Sequence, residues 1–195
     1  VELRRLINEG VIGDIIGLSA NLGFVAEFDP KSRVYNPALG GGALLDMGIY
    51  PVALATMLLG KPVSIESEAA FSTSKVDTET KMTFRYANDV VARLFCSIIN
   101  ETDREAVIQG AKGQIKITSP WWNGPKLIVS IDGKPDQVIE PTSVGHGLHY
   151  QASHVGESLS QGLLESGEMT FNRTLMNMRL LDQIRGQIGL KYNND

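Results

Sequence analysis

The chain has 195 residues, of which 43% are hydrophobic and 21% charged, and its formal net charge is −4 at pH 7. This length suits one well-buried domain and is short for two. Because no basic run interrupts this mildly acidic sequence, we expect no nucleic-acid partner. No apolar stretch is predicted to reach the roughly 18 residues of a membrane span, so we expect no membrane partner. The single Cys96 excludes an intrachain disulfide and fits a reducing cytoplasm, where we expect the protein.

The first part of the chain predicts a helix, a strand, a loop and a second helix. Residues Val1–Gly10 have the spacing of an amphipathic helix, but a capping residue and a starting methionine are missing. We therefore expect the natural protein to continue upstream of this helix. Partial alternation predicts a strand over 14–24, and the prolines and glycines of 27–41 predict a loop. The dense apolar stretch of 43–59 predicts a buried helix that ends at Gly60.

A run of strands follows, and several of them alternate apolar with polar residues. The clearest is 76–86. Its pattern predicts an apolar face with Val76, Met82, Phe84 and Tyr86. The polar face is predicted to carry Asp77, Glu79, Lys81 and Arg85. Asn88-Asp89 predicts a hairpin into the next strand. The predicted strands cover 63–71, 76–86, 90–99, 105–109, 114–118, 126–131 and 137–139, with Val63, Ile65, Ala69 and Phe71 on one side of the first.

Two amphipathic helices are predicted to close the chain. The first has an apolar stripe that ends at Gly162: Leu148, Ala152, Val155 and Leu159. The second is predicted to begin at an Asn172 cap, to end at Gly189 and to turn these residues inward: Leu175, Met178, Leu181, Ile184 and Ile188. The element order predicts an α+β fold with an open, mostly antiparallel sheet and helices packed on one face. The other face is then left for solvent or a partner.

The stretch with the most chemical information runs from Gly40-Gly41-Gly42 to Tyr50. Three glycines before a helix are typical of phosphate sites, but no Gly-Lys-Ser/Thr follows. We therefore interpret them as residues that let the backbone turn tightly or approach a neighbour. Asp46 and Tyr50 lie four residues apart and share a helix face. Pro51 next to them must lie in the first turn or bend the helix.

Two interpretations of this pair stay open. In the first, Asp46 caps the helix and Tyr50 is a core aromatic with a bonded hydroxyl. In the second, Tyr50 is a general acid/base. A free phenol loses its proton near pH 10, so the second interpretation requires a nearby cation, and no lysine neighbours Tyr50 in the sequence.

Two further groups of residues are candidate sites. The histidines His146, His149 and His154 are close in sequence, but no carboxylate-spaced third ligand accompanies them. We interpret them as polar residues at a helix entry and predict no metal site. Trp121-Trp122 follow a proline in a loop, where they either cover the edge of the core or line a small-molecule pocket.

The residues from Leu39 to Tyr50, Leu-Gly-Gly-Gly-Ala-Leu-Leu-Asp-Met-Gly-Ile-Tyr, resemble the signature of the Gfo/Idh/MocA oxidoreductases. The branch is that of glucose–fructose oxidoreductase and dimeric dihydrodiol dehydrogenase. Weaker matches cover 7–14, 28–37, 145–150 and 181–192. The resemblance implies that 1–195 form one C-terminal domain for substrate binding and oligomerisation, similar to that of dihydrodipicolinate reductase. The family's N-terminal Rossmann domain is absent from this chain.

Members of this family pass a hydride between NAD or NADP and the alcohol carbon of a sugar, a diol or a similar small-molecule substrate. The resemblance implies that Tyr50 is the acid/base, with a lysine of the N-terminal domain as its cation, and that Asp46 orients the site. It further implies that Arg33, Trp121 and Trp122 bind substrate. The family's open sheet implies a homodimer or a higher homo-oligomer.

The chain contains neither a GxGxxG motif nor a Glu-Lys-Pro motif. We therefore expect the chain alone to retain no cofactor and to be inactive. Two alternatives stay open at this point. One is a non-enzymatic module for dimerisation or small-ligand binding, and the other is an NAD-dependent glycosidase of the same fold.

Overall fold

A computed structural model describes residues 2–124, 126–140 and 147–192 of the chain. The elements follow the predicted order. The helices are α1 (Glu2–Asn8), α2 (Ile49–Leu59), α3 (Leu148–Ser160) and α4 (Phe171–Ile188). The strands are β1 (Ile15–Gly23), β2 (Ser64–Phe71), β3 (Asp77–Arg85), β4 (Val91–Ser97), β5 (Ala106–Gly110), β6 (Gly113–Ile117), β7 (Leu127–Ile131) and β8 (Gln137–Ile139).

Within the described residues, the strands form one open sheet in the order β2-β3-β4-β1-β5-β6-β7-β8. β1 and β4 pair in parallel, and the other neighbours pair antiparallel. The hairpin predicted at Asn88-Asp89 joins β3 to β4, and both residues have the positive φ that its tight turn requires. The predicted α+β class is therefore confirmed, with β1 inserted at the centre of the sheet.

The two faces of the sheet differ in polarity. On one face, alternate residues of the central strands are buried in the core, among them Leu18, Met82 and Leu94. The neighbouring residues of β3 and β4 point the other way, and Lys81 and Arg93 are exposed there. This polar face also carries an ion pair between Lys81 and Glu68, with nitrogen and oxygen 3.0 Å apart. The expected half-polar sheet is thus present.

α2 and α4 cover the apolar face. The Thr56 hydroxyl donates a hydrogen bond to Asn177 Oδ1 over 2.7 Å, which joins the two helices, and Gln187 Nε2 donates to the Ile65 carbonyl of β2. The helical stretch Pro37–Leu59 has 23 residues and a mean hydropathy of 1.6, so one stretch of the described chain does reach the length of a membrane span, contrary to our expectation. More than half of it is buried inside the domain, as in the core helix of a globular protein.

The closing helices depart from the prediction. α3 buries none of its residues, so its apolar stripe faces outward: Leu148, Ala152, Val155 and Leu159 are exposed. α4 begins two residues earlier than expected, because Thr170 rather than Asn172 accepts a hydrogen bond from the Arg173 amide. The buried residues of α4 are Asn177, Leu180, Leu181 and Ile184, so Leu181 and Ile184 are buried as predicted while Leu175 and Met178 are exposed.

Two predictions for the strands are also corrected. In β2, an edge strand of the sheet, only Ile65 of the predicted apolar side is buried. In β3 the predicted polar side included Asp77, which is fully buried. The pairing register of β2 with β3 shifts between Ala70 and Phe71, opposite the start of β3. Strict alternation therefore fails at this end of the strand.

Candidate functional site

The glycine segment folds as tightly as predicted. Gly40 and Gly42 have φ angles of 70° and 118°, which are positive values that side chains with a Cβ rarely adopt. A Cβ on Gly41 would lie 2.6 Å from the Val34 carbonyl oxygen, so the backbone passes too closely for any larger residue. The amides of Gly41 and Gly42 donate to the Asn36 and Val34 carbonyls. Because these donors are already used, the segment is not a phosphate cradle.

A π-helical turn, Leu44–Gly48, follows the glycines and runs directly into α2. Pro51, which has no amide hydrogen, lies in the first turn of α2 as expected. π-helical turns are rare and are found most often at functional sites. A Cβ on Gly48 would come within 3.1 Å of the buried Cys96 sulfur, so this turn lies tightly against β4. Burial raises the pKa of the Cys96 thiol, and the cysteine acts as a small core residue.

Asp46 lies inside the π-helical turn and does not cap the helix, so that interpretation is wrong. Its carboxylate accepts two hydrogen bonds from Arg33, from Nη1 over 2.8 Å and from Nη2 over 3.0 Å. This bidentate geometry is the strongest form of an arginine–carboxylate pair. The Asp46 hydrogen bond raises the pKa of the Arg33 guanidinium. The structure thus brings two of the predicted site residues into direct contact.

Tyr50 is 45% exposed, so the interpretation as a core aromatic is also wrong. Its ring meets the ring of Trp122 edge to face, with centroids 6.2 Å apart. Both rings line an open pocket of roughly 390 Å³ whose walls are otherwise mostly apolar. The remaining lining residues are Ala53, Leu54, Met57, Trp121, Glu168, Met169 and Arg173.

The two tryptophans differ in role: one covers the core edge and the other faces a pocket, the two roles that the sequence left open. Trp121 is buried, and its indole nitrogen donates to the Asn21 carbonyl of β1 over 2.8 Å, so it covers the edge of the core. Trp122 is partly exposed and faces the pocket. Both also line a second pocket of about 700 Å³, which shares Leu54 and Met57 with the first. The hydrogen bond on Trp121 therefore fixes the loop that presents Trp122.

Arg173 and Glu168 lie at the polar rim of the Tyr50 pocket, and the sequence did not indicate either of them. The Arg173 guanidinium donates to the Glu168 carbonyl. The Glu168 carboxylate in turn accepts from Arg4 of α1, and this bond lowers the pKa of the Glu168 carboxyl. Arg173, in the first turn of α4, reaches the pocket because α4 packs beside α2, and Glu168 lies three residues before that helix; no sequence motif records this tertiary contact.

Among the residues that the structure describes, no three side chains of His, Cys, Asp or Glu are grouped as metal ligands. The His149 ring lies against Tyr150, with centroids 4.0 Å apart, and a ring nitrogen of His154 hydrogen-bonds the Ser166 hydroxyl. His146 lies outside the described residues. The two described histidines thus make ordinary polar and ring contacts.

The sequence profile of the GFO/IDH/MocA C-terminal domain matches residues 1–116. Among curated proteins, the chain is 31% identical over 198 residues to a trans-1,2-dihydrobenzene-1,2-diol dehydrogenase of Xenopus tropicalis. It is 29% identical over 201 residues to the enzyme of that name from Homo sapiens. These alignments cover 98% and 99% of the chain, which spans 59% of the length of each relative.

Solved structures share the fold. An aldose–aldose oxidoreductase from Caulobacter crescentus, crystallised with glycerol, superposes with a TM-score of 0.79 at 22% identity. A 3-ketoreductase variant from Actinomadura kijaniata, in complex with TDP-benzene and NADP, gives 0.81 at 17% identity. The matches cover 94% and 96% of this chain but 56% and 58% of those chains. The same α+β domain is therefore a part of larger proteins.

Proposed function

The chain belongs to the GFO/IDH/MocA family, and from this premise we propose that it is the substrate-side domain of an NAD(P)-dependent oxidoreductase acting on a sugar, a diol or a related alcohol carbon. The names of the relatives and the shared fold support this reaction class. One observation carries the proposal. Tyr50 sits at the start of a buried helix, yet its side chain is 45% exposed and faces an apolar pocket.

Tyr50 is proposed as the general acid/base. In the oxidative direction its deprotonated oxygen takes the hydroxyl proton of the alcohol, while the bond from hydrogen to carbon is broken and a carbonyl forms. When bound, the nicotinamide supplies the chemistry of accepting or returning the hydride. A phenol requires a cation to act near neutral pH, and the resemblance assigns this role to a lysine outside this chain.

Asp46 is proposed to act through Arg33. Asp46 accepts two of the guanidinium N–H bonds and so fixes the plane of the group. An arginine has five such donors, so others stay available for a substrate hydroxyl or the cofactor. The Arg33 side chain is 61% exposed and keeps these donors accessible.

The pocket walls fit a small ring with one apolar face. Trp122 and Tyr50 meet edge to face and offer a rigid aromatic wall, while Arg173 and Glu168 supply polar partners at the rim. Ligand sites commonly combine an apolar lining with a few placed polar groups. Sugars and cyclic diols both have this character, which supports Trp122 as a substrate-binding residue and Trp121 as its support.

The cofactor is proposed to be NAD or NADP, held mainly outside this chain. The open apolar side of the Tyr50 pocket fits one face of a flat nicotinamide, but the glycine amides are already hydrogen-bonded and leave no phosphate cradle there. The 195-residue chain alone should therefore retain no cofactor and be inactive. Titration with NADPH should enhance fluorescence for the full-length protein and not for this chain. Saturable binding by the chain would place the cofactor site here instead.

α3 provides the proposed contact with the rest of the protein. Its apolar residues Leu148, Val155 and Leu159 are exposed, and Leu164 in the following loop is exposed too. Contiguous exposed apolar surfaces usually mark interaction sites. Because the chain spans 59% of its relatives, we assign this α3 surface to the nucleotide-binding domain.

The polar face of the sheet is proposed to mediate self-association into a homodimer or a higher oligomer. A hollow of about 520 Å³ lies on this face between β1, β3 and β4, with Arg93 and Phe95 among its lining residues. Phe95→Glu should weaken self-association measured by light scattering of the full-length protein. A wild-type protein that stays monomeric at high concentration would contradict this assembly.

The reaction class is tested with the full-length protein, NAD⁺ and NADP⁺, and a panel of aldoses, cyclitols and cyclic diols. Absorbance at the nicotinamide band should rise with at least one alcohol, and fall when the corresponding carbonyl is offered with the reduced cofactor. Absence of both changes across the panel would favour the non-enzymatic binding module. Release of an aglycone without net cofactor reduction would favour the NAD-dependent glycosidase.

We place the protein in the cytoplasm, with no nucleic-acid partner and no membrane partner. The acidic net charge and the burial of the one long apolar stretch support these proposals.

A further inference from the structure

Asp77 is a carboxylic acid in the interior of the domain, with no exposed surface. Its Oδ2 accepts hydrogen bonds from the Leu44 amide over 2.7 Å and from the Thr80 hydroxyl over 2.8 Å. Its Oδ1 has no hydrogen-bond partner among the described residues. Burial raises the pKa of the Asp77 carboxyl, while the bonds from Thr80 and Leu44 act in the opposite direction.

The unpartnered oxygen lies directly against the glycine segment. A Cβ built on Gly42 would be 2.1 Å from Asp77 Oδ1, so only glycine fits above the carboxyl. The other oxygen holds the first amide of the π-helical turn at Leu44. Asp77 therefore contacts the end of the glycine segment and the start of the helix with one rigid group. Thr80, three residues further along β3, donates its hydroxyl hydrogen bond to the same oxygen and so fixes the carboxyl itself.

Tyr192 holds the same segment from the opposite end of the chain. Its hydroxyl donates to the Gly41 carbonyl over 2.7 Å, and the Arg185 guanidinium lies over its ring, 4.9 Å from the centroid. Together with the backbone bond from Gly42 to Val34, these contacts fix the segment from β3, from the preceding loop and from the region after α4.

Stability alone does not account for Asp77. A buried carboxyl with one unsatisfied oxygen is a worse stabiliser than a well-packed apolar residue of the same size. Its effect on the backbone geometry is specific to the site. The segment that Asp77 holds contains Asp46, two residues after Leu44, and leads directly to Tyr50 at the start of α2.

We infer that Asp77 is a positioning residue, which sets the glycine segment and the π-helical turn so that Asp46 holds Arg33 and Tyr50 faces the pocket. The part of this inference that concerns turnover rests on the proposed function. The part that concerns the backbone does not, and the two are tested separately.

The backbone part is tested by amide hydrogen exchange of the full-length protein, followed in peptides that cover 43–50. Asp77→Ala should raise exchange there about tenfold, because the Leu44 amide loses its acceptor. Asp77→Asn should restore most of the protection, since its amide oxygen still accepts. Thr56→Val is the matched control: it removes a buried hydrogen bond at the far end of α2 and should leave 43–50 unchanged. Equal exchange in wild type and Asp77→Ala overturns the inference.

The functional part is tested by steady-state turnover. Asp77→Ala should lower kcat about 10- to 100-fold while KM changes less than about threefold, because the reacting groups are displaced but the pocket walls remain. The effect should vanish in a Tyr50→Phe background, since Asp77 acts through Tyr50. If Asp77→Ala lowers kcat by the same factor in the Tyr50→Phe background as in wild type, the positioning role is overturned.

Two safeguards keep the test decisive. If Asp77→Ala does not fold, Gly42→Ala tests the same contact from the other side and should raise exchange in 43–50 in the same way. If Tyr50→Phe retains wild-type turnover, the proposed function fails, and the exchange measurement by itself then supports or overturns the hold of Asp77 on the segment.

Discussion

α2 and α3 are helices of similar length that lie in opposite surroundings. α2 and the π-helical turn before it are enclosed by β1, β4 and α4, and Leu44, Val52 and Ala55 have no exposed surface. α2 is apolar nearly all round, whereas α3 carries an apolar stripe on one side but buries none of its residues. An apolar stripe thus shows that a helix needs a partner, while only the tertiary structure shows whether this domain contains it.

The largest expected difference between the two regions comes from removing a leucine side chain. Leu44→Ala in the 195-residue chain should lower the free energy of unfolding by about 2–5 kcal/mol, because it leaves a cavity in the core. Leu159→Ala, on the exposed face of α3, should change it by less than about 0.5 kcal/mol. Urea unfolding measures both. Equal losses would mean that α3 packs against this domain after all.

The same pair also tests the assignment of the α3 surface. In the full-length protein, Leu159→Ala should lower stability by about 1–3 kcal/mol, because the side chain then becomes buried against the nucleotide-binding domain. Leu44→Ala should have a similar effect in both proteins. If Leu159→Ala stays neutral in the full-length protein, the α3 surface has another partner.

Glycine substitutions sharpen the contrast with a smaller effect. Gly42→Ala should destabilise the chain by more than about 1 kcal/mol, because of its positive φ and the contact with Asp77. Gly156 lies in α3 with open space around it, so Gly156→Ala should stabilise the chain by about 0.5–1 kcal/mol. Thermal unfolding of both variants checks the prediction, and a neutral Gly42→Ala would remove the argument for tight packing there.

The pH dependence of stability should report on the region of α2 through Asp77. Because burial raises the pKa of this carboxyl, the folded state binds its proton more tightly than the unfolded state. The ordinary pKa of an aspartate is about 4. As the pH rises from this value to the raised pKa of Asp77, wild type should therefore lose stability relative to Asp77→Asn, and above the raised pKa the difference should stay constant. If wild type instead becomes more stable relative to Asp77→Asn as the pH rises, the raised pKa of Asp77 is contradicted.

Much of the fold was predictable because the physical cause of each element is local. Alternation along β3 and β4 and the turn at Asn88-Asp89 specify a hairpin without reference to the rest of the chain. The tight glycine segment was predictable for the same reason, since three consecutive glycines have few other uses. Gly60 ends α2 and Gly189 ends α4, as expected of residues that tolerate unusual φ angles.

The remainder depended on contacts between distant parts of the chain. Alternation predicts Asp77 on the polar face, because the irregular pairing at the start of β3 is not visible in the sequence of that strand. Thr170 and Asn172 are both good capping residues, so the sequence does not decide between them, and the buried side of α4 follows from its packing beside α2 and β2. Arg173 could not be connected with Tyr50 before the packing of α4 beside α2 was known.

The role of Tyr50 is the central claim, and a single-turnover measurement tests it most directly. Full-length wild type and Tyr50→Phe are mixed with saturating alcohol and oxidised cofactor, and formation of reduced cofactor is followed in time. Tyr86→Phe is the control, because the buried Tyr86 hydroxyl has no partner among the described residues. Tyr50→Phe should slow the step about 10²- to 10⁴-fold at unchanged cofactor affinity, while Tyr86→Phe should match wild type. A wild-type rate in Tyr50→Phe would exclude Tyr50 as the acid/base.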